Sequence, residues 1–139
     1  MMNAHDIYKQ QQAVGWTRID MLLALYEGAI ERTEQARDAI ARGDRSAAVA
    51  PLLRAQRIVA ELFAGLDLGY GELPRDLQRL YVFVLRSITQ GTPEHLGAAL
   101  DVLRTLREGL AGIRSEAVEL ERSGAIPPAD IERGLQATA

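Results

Sequence analysis

Cysteine is absent from the 139-residue chain, so disulfides and thiolate metal sites are excluded, which fits a reducing compartment. Aromatic residues are scarce, 5% against a hydrophobic fraction of 47%. Leu, Ile, Val and Ala must therefore fill the interior, and that composition favours helices, since strands are usually richer in aromatic and β-branched residues. The only histidines are His5 and His95, and neither has a Glu three residues before it. The Glu-x-x-His pairs of a diiron bundle are thus missing, zinc lacks ligands, and no cofactor or metal is expected. The 16 basic and 19 acidic residues give a net charge of −3 and form no dense basic stripe, so nucleic acid is not an expected partner. The strongly apolar stretches are broken by Arg or Glu within a few residues, so membrane insertion is not expected either. The opening Met-Met-Asn-Ala-His-Asp lacks a basic region followed by an apolar run, so no signal peptide is read there and the expected location is cytoplasmic.

Catalytic patterns are missing as well. Gly65, Gly69 and Gly71 are not followed by the Lys-Ser or Lys-Thr of a phosphate loop. Ser87, Ser115 and Ser123 have no His or Asp pattern that would activate them. A phosphotransfer histidine sits in mid-helix with a basic and a small residue a turn away. His95-Leu96-Gly97 has Glu94 beside it and no Lys following, so a solvated His near a helix N-terminus is the simpler reading. The carboxylates that accompany Arg at helical spacing suit a solvated face better than acid–base work. The chain reads as a non-enzyme, with phosphotransfer or a structural helical bundle as the alternatives.

What is present is helical punctuation. The length suits one domain with a sizeable core. After a polar, Gln-rich arm over 1–16, Thr17 is placed to cap a helix, with Asp20 as a capping-box partner and Trp16 and Met21 as a hydrophobic staple. The first helix should run from 18 to about 40 or 41, with Ile19, Leu22, Leu23, Tyr26, Ala29, Ile30 and Thr33 on one face and Gly43 as its stop. Asp44 should cap a second helix carrying Val49, Leu52, Leu53, Ile58, Val59, Leu62, Phe63 and Leu66. Pro51 should either kink that helix or mark its true beginning. Residues 66 to 73 read as a loop, and Pro74 fits the first position of a third helix, which carries Leu77, Leu80, Tyr81, Val84, Leu85 and Ile88 and ends before Gly91. Thr92-Pro93-Glu94 opens a fourth. Leu96, Leu100, Leu103, Leu106, Leu110, Ile113, Ala117 and Leu120 extend it to about 121, roughly 40 Å of helix. A last short helix over 129–135 follows Pro127-Pro128. The expected fold is all-α: an antiparallel up-down four-helix bundle over 17–122, with the N-terminal arm over 1–16 and a C-terminal tail or short helix over 123–139.

Several of these segments resemble, in order, those of the flagellar export chaperone FliS family. Tyr8, Gln11, Val14, Thr17, Leu25, Tyr26, Gly28 and Ala29 match the arm and the Leu-Tyr-x-Gly-Ala of the first helix. The run from Leu53 to Leu62, with Ala55-Gln56 and Glu61-Leu62, followed by Leu66-Asp67, is similar to the second helix and its end. Leu77-Gln78-Arg79-Leu80-Tyr81 resembles the third-helix Leu-x-x-Leu-Tyr, and Leu106-Arg107-Glu108 the family's Leu-Arg-Glu-Ala-Trp. The chain departs from the pattern at Arg18 for Pro, at Asp20 for Glu, at Val82-Phe83 for Asp-Tyr and at Gly109-Leu110 for Ala-Trp. The resemblance covers roughly 8 to 118. It implies a small bundle that binds the disordered C-terminal segment of flagellin, prevents premature polymerisation and aids type III export. Other flagellar regulatory or export proteins are further partner candidates. Candidates for client contact or for masking the groove are Ile7, Tyr8, Gln11, Leu22, Tyr26, Ile58, Leu62, Leu66, Tyr81, Leu103 and Leu110. Ile7 and Tyr8 stand out because they are apolar residues on an otherwise polar arm.

Overall fold

The computed structural model describes residues 17–66 and 71–125. The expectations placed on Ile7, Tyr8, Gln11, the Trp16 staple and a helix over 129–135 fall outside those residues. Five helices follow one another: α1 Arg18–Ala41, α2 Arg45–Ala64, α3 Glu72–Gln90, α4 Pro93–Gly112 and α5 Arg114–Arg122. Among the described residues there is no strand. Each of the first four helices packs on its neighbours in sequence, and α1 closes on α4, so the fold is the helical bundle expected. Among the described residues no helix is long and apolar enough to cross a membrane.

Local signals set most of the boundaries. Thr17 is the N-cap of α1, but Asp20 does the capping: its Oδ2 accepts from the Thr17 hydroxyl at 2.9 Å and from the Thr17 backbone N–H at 3.4 Å. Asp44 caps α2 by accepting from the Ala47 N–H at 3.1 Å, and Thr92 caps α4 by accepting from the His95 N–H at 3.2 Å with Pro93 as its first residue. Gly43 and Gly91, at φ 80° and 68°, take the left-handed turns that end α1 and α3.

One alternative is settled, and two boundaries differ from expectation. The second helix begins at Arg45 and runs unbroken through Pro51, which removes the alternative that it starts at the proline. The third begins at Glu72, so Glu72 and Leu73 are helical and Pro74 is its third residue. Pro74 is tolerated there because the first turn has no intrahelical acceptors for its N–H groups. The expected long fourth helix is two, divided at Ile113 (φ −106°, ψ 9°), where the Ile113 N–H reaches the Leu110 carbonyl at 3.2 Å. Gly109 and Gly112 lower helix propensity just before the break. The gain lies in what α5 meets. Arg114 donates to Asp20 at 2.6 Å and 3.1 Å, and Glu121 accepts from the Arg18 backbone N–H at 3.0 Å, so α5 fastens the start of α1.

The core is a continuous cluster from α1 to α4 that includes Tyr26, Ile30, Val59, Val84, Leu96, Leu100 and Leu103. Small residues fill more of it than the Leu/Ile pattern implies: Ala29, Ala36, Ala39, Ala48, Ala55 and Ala99 are all buried. Conversely Val49, Leu53, Leu80, Ile113 and Leu120, expected on apolar faces, are exposed.

Replacing Pro51 by Ala should raise the urea midpoint at unchanged slope. The change restores a donor to the Ala47 carbonyl and removes the ring clash, a gain of about 1–2 kcal/mol after the loss of proline's unfolded-state restriction. Asp20→Ala should cost about 1 kcal/mol, since it removes the cap and the tie to α5. Arg114 first, and Thr17 next, hold the Asp20 carboxyl below its ordinary value of 3.8. The contribution of Asp20 is therefore complete above that pH and is lost as the pH falls through the folded value, so acid titration of both proteins should bring their stabilities together.

Candidate functional site

The bundle opens at one end. The first turns of α1 and α3 and the last turns of α2 and α4 meet there, as antiparallel neighbours must, around a cleft of about 320 Å³. Leu22, Leu25 and Tyr26 line it from α1, Leu62 from α2 with Leu66 just beyond, Leu73, Leu77 and Tyr81 from α3, and Leu106 and Leu110 from α4. Leucines spaced three or four apart at the helix ends produce this concentration, and Gly65 and Gly109 add no side chain to fill it.

Tyr26 and Tyr81 stand across the bundle from one another with ring centroids 6.3 Å apart and planes inclined at 51°. Both are buried, and their hydroxyls are hydrogen-bonded to each other. Burial pushes both phenols above their ordinary value, and for Tyr26 the neighbouring hydroxyl adds to the effect. Neither ionises in the neutral range. The remaining polar members of the lining are Arg18, Thr105 and Glu61. Thr105 donates to the Asp101 carbonyl at 2.7 Å. Glu61, in the last turn of α2, has no such outlet: its Oε2 is shielded from solvent and has no hydrogen-bond partner among the described residues. Burial alone pushes its carboxyl up from 4.5 to about 7.

The structure brings Leu22, Tyr26, Leu62, Leu66, Tyr81 and Leu110 of the sequence candidates into one lining. It does not bring Ile58 or Leu103 there. Ile58 faces Gly28 of α1, with its Cδ1 3.2 Å from where a Cβ would sit, and Leu103 is wholly inside the core. Leu25, Leu73, Leu77 and Leu106 belong to the lining and escaped the sequence reading of the site. So did Glu61, which at helical spacing looks like any solvated carboxylate. His95 is exposed at the start of α4, its Nδ1 2.6 Å from the Thr92 hydroxyl, as the simpler reading of that residue has it. No group of His, Cys, Asp and Glu able to hold a metal occurs among the described residues.

The fold and the site define a short helical bundle with an apolar cleft at one end. The family model described as flagellar protein FliS matches residues 1–117, and the chain belongs to that family, one of flagellar export chaperones. Comparison with curated protein sequences returned no match.

The Glu61 carboxyl makes a testable contribution to stability. Its folded value, about 7, lies above the unfolded 4.5, so the folded state holds the extra proton between those values. Stability is highest with the group protonated and declines as the pH rises through that window. Glu61→Gln should therefore match the parent near pH 4.5 and exceed it by about 1–2 kcal/mol above pH 7.5, the full linkage value being reduced for partial solvent exposure. Urea titrations at the two pH values measure this.

Proposed function

We propose that this chain is a cytoplasmic chaperone that binds the disordered C-terminal segment of flagellin, keeps it from polymerising prematurely and delivers it for type III export. The observation that carries the reading is an apolar cleft, lined from all four long helices, in a chain of the FliS family. An export client must remain unfolded, and its apolar helical faces must be kept from pairing with one another. A cleft that accepts the apolar anchors of an amphipathic segment does both without consuming a nucleotide. Ordering the client on docking offsets part of the contact energy, which leaves binding reversible enough for release at the export gate.

The arm completes the proposal. Ile7 and Tyr8, with Gln11, cover part of the cleft in the free protein and give way to the client, since an uncovered apolar cleft invites self-association. The eight residues from Tyr8 to Gly15 can reach about 27 Å when extended, ample for such a return. Other flagellar export or regulatory proteins are further partners of the same kind.

Calorimetric titration with the C-terminal segment of flagellin from the same genome should give one-to-one binding. Leu110→Asp should weaken it at least tenfold while leaving the helical spectrum intact, because Leu110 is only partly buried. Absence of binding by the parent chain would overturn the assignment. Deleting residues 2–12 should tighten binding or promote aggregation. Weaker binding without aggregation would show instead that the arm touches the client.

A further inference from the structure

A cleft meant only for apolar side chains has no use for a carboxylate. Hydrocarbon at position 61 would bury more favourably, and Oε2 carries a desolvation cost that nothing among the described residues offsets. The other polar groups in the lining do not relieve it. The Tyr26 and Tyr81 hydroxyls are engaged with each other, Thr105 donates to its own helix, and Arg18 does not reach Oε2. Glu61 lines the cleft while its Oε2 is shielded in the free chain, so the acceptor is matched when its carboxyl turns toward a donor that arrives with whatever fills the cleft. A site built around such a group rejects ligands that lack its partner far more strongly than an apolar wall could.

We infer that Glu61 is a specificity-determining residue of the cleft, accepting a hydrogen bond from an amide or cationic side chain that the docked helical segment carries among its apolar anchors. This rests on the chaperone reading and adds to it the chemistry by which a client is told from other apolar helices. The contact has a proton linkage of definite sign. In the free chain the carboxyl sits near 7, and a donor from the client favours the ionised form. Binding at lower pH must therefore expel a proton, and affinity falls as the pH drops. The other ionisable groups lining the cleft are Arg18 and Tyr26 from α1 and Tyr81 from α3, while α4 contributes none. Arginine and tyrosine side chains do not change charge between pH 6 and 8.

The test uses the full chain with His5→Gln and His95→Gln, so that no imidazole titrates, and an N-acetylated flagellin C-terminal segment with any His replaced by Gln. Affinity should rise several-fold from pH 6 to pH 8, within the tenfold per unit that one proton allows. Glu61→Leu should abolish that slope and weaken binding at least tenfold at pH 8. Replacing each Lys, Arg, Asn and Gln of the segment by Ala should reveal one position whose loss costs the parent but not the Leu variant. Equal or tighter binding by the Leu variant at pH 8, or no coupled position, overturns the inference while the chaperone reading stands. Absence of binding by every protein at every pH overturns the reading and the inference together. Thermal melts check that the Leu variant is folded, as removal of a half-buried carboxyl should leave it.

Discussion

Two phenol hydroxyls placed in the middle of a hydrocarbon core must find partners, and Tyr26 and Tyr81 find each other. Their bond joins α1 to α3, which lie diagonally and otherwise make little contact, so it sets a distance that neighbour packing alone would leave free. The consequence is asymmetric. Ala36, Ala39, Ala48 and Ala99 are buried toward the other end of the bundle, where small side chains let the helices approach closely. At the tyrosine end, bulky rings and leucines stand between helix termini and keep the bundle open. The cleft thus follows from the tyrosine pair and the leucines around it, and it forms where the ends of four helices meet.

The outer seam between α1 and α4 has a different character. Glu34 pairs with Arg104 at 3.0 Å, Glu27 with Arg107 at 3.2 Å and Asp20 with Arg114 at 2.6 Å. From Asp20 to Glu34 the acids advance by seven residues at a time along α1 while their arginine partners step back from α5 into α4, as antiparallel packing requires. Pairs this exposed contribute little stability each, and their effect is on register. The break at Ile113 belongs with the same seam. A straight helix from Pro93 to Arg122 would be about 45 Å long against about 36 Å for α1, so its last turns would pass beyond the end of α1. The break at Ile113 lets α5 place Val118 in the interior and Arg114 on the Asp20 carboxylate.

Features decided within a few residues were legible in the sequence, and features decided across the bundle were not. Thr17, Asp44, Gly91 and Thr92-Pro93 act through bonds spanning at most four positions, and each marks the boundary it suggested. The exposed Val49 and Leu53 and the buried Ala48 and Ala55 share one helix, and hydrophobic periodicity cannot tell which side meets the partner when alanine is the residue that fits. Leu22, Tyr26, Leu62 and Tyr81 could be proposed for a site on resemblance, but Leu73 and Leu77 could not, because they line the cleft only through the position of the α3 start. Glu61 is the extreme case. Nothing within four residues distinguishes it from Glu31 or Glu116, and its shielding comes from the packing around the end of α2.

Cleft size and cleft chemistry together limit how a client can be held. A volume of about 320 Å³ holds about ten waters and is at the small end for binding pockets, too little for a whole helix and enough for a few side chains from one face of it. Docking is therefore by anchors, and apolar anchors alone discriminate poorly, since one methylene more or less changes affinity only modestly. Many amphipathic helices in a cell would satisfy such a surface. On the inference drawn above, Glu61 among the leucines changes that balance, because an apolar side chain placed against it leaves Oε2 unsatisfied while a donor relieves it. The same group that makes the free chain less stable above neutral pH is the one able to reject the wrong helix. Stability given up at a site is what permits selectivity there.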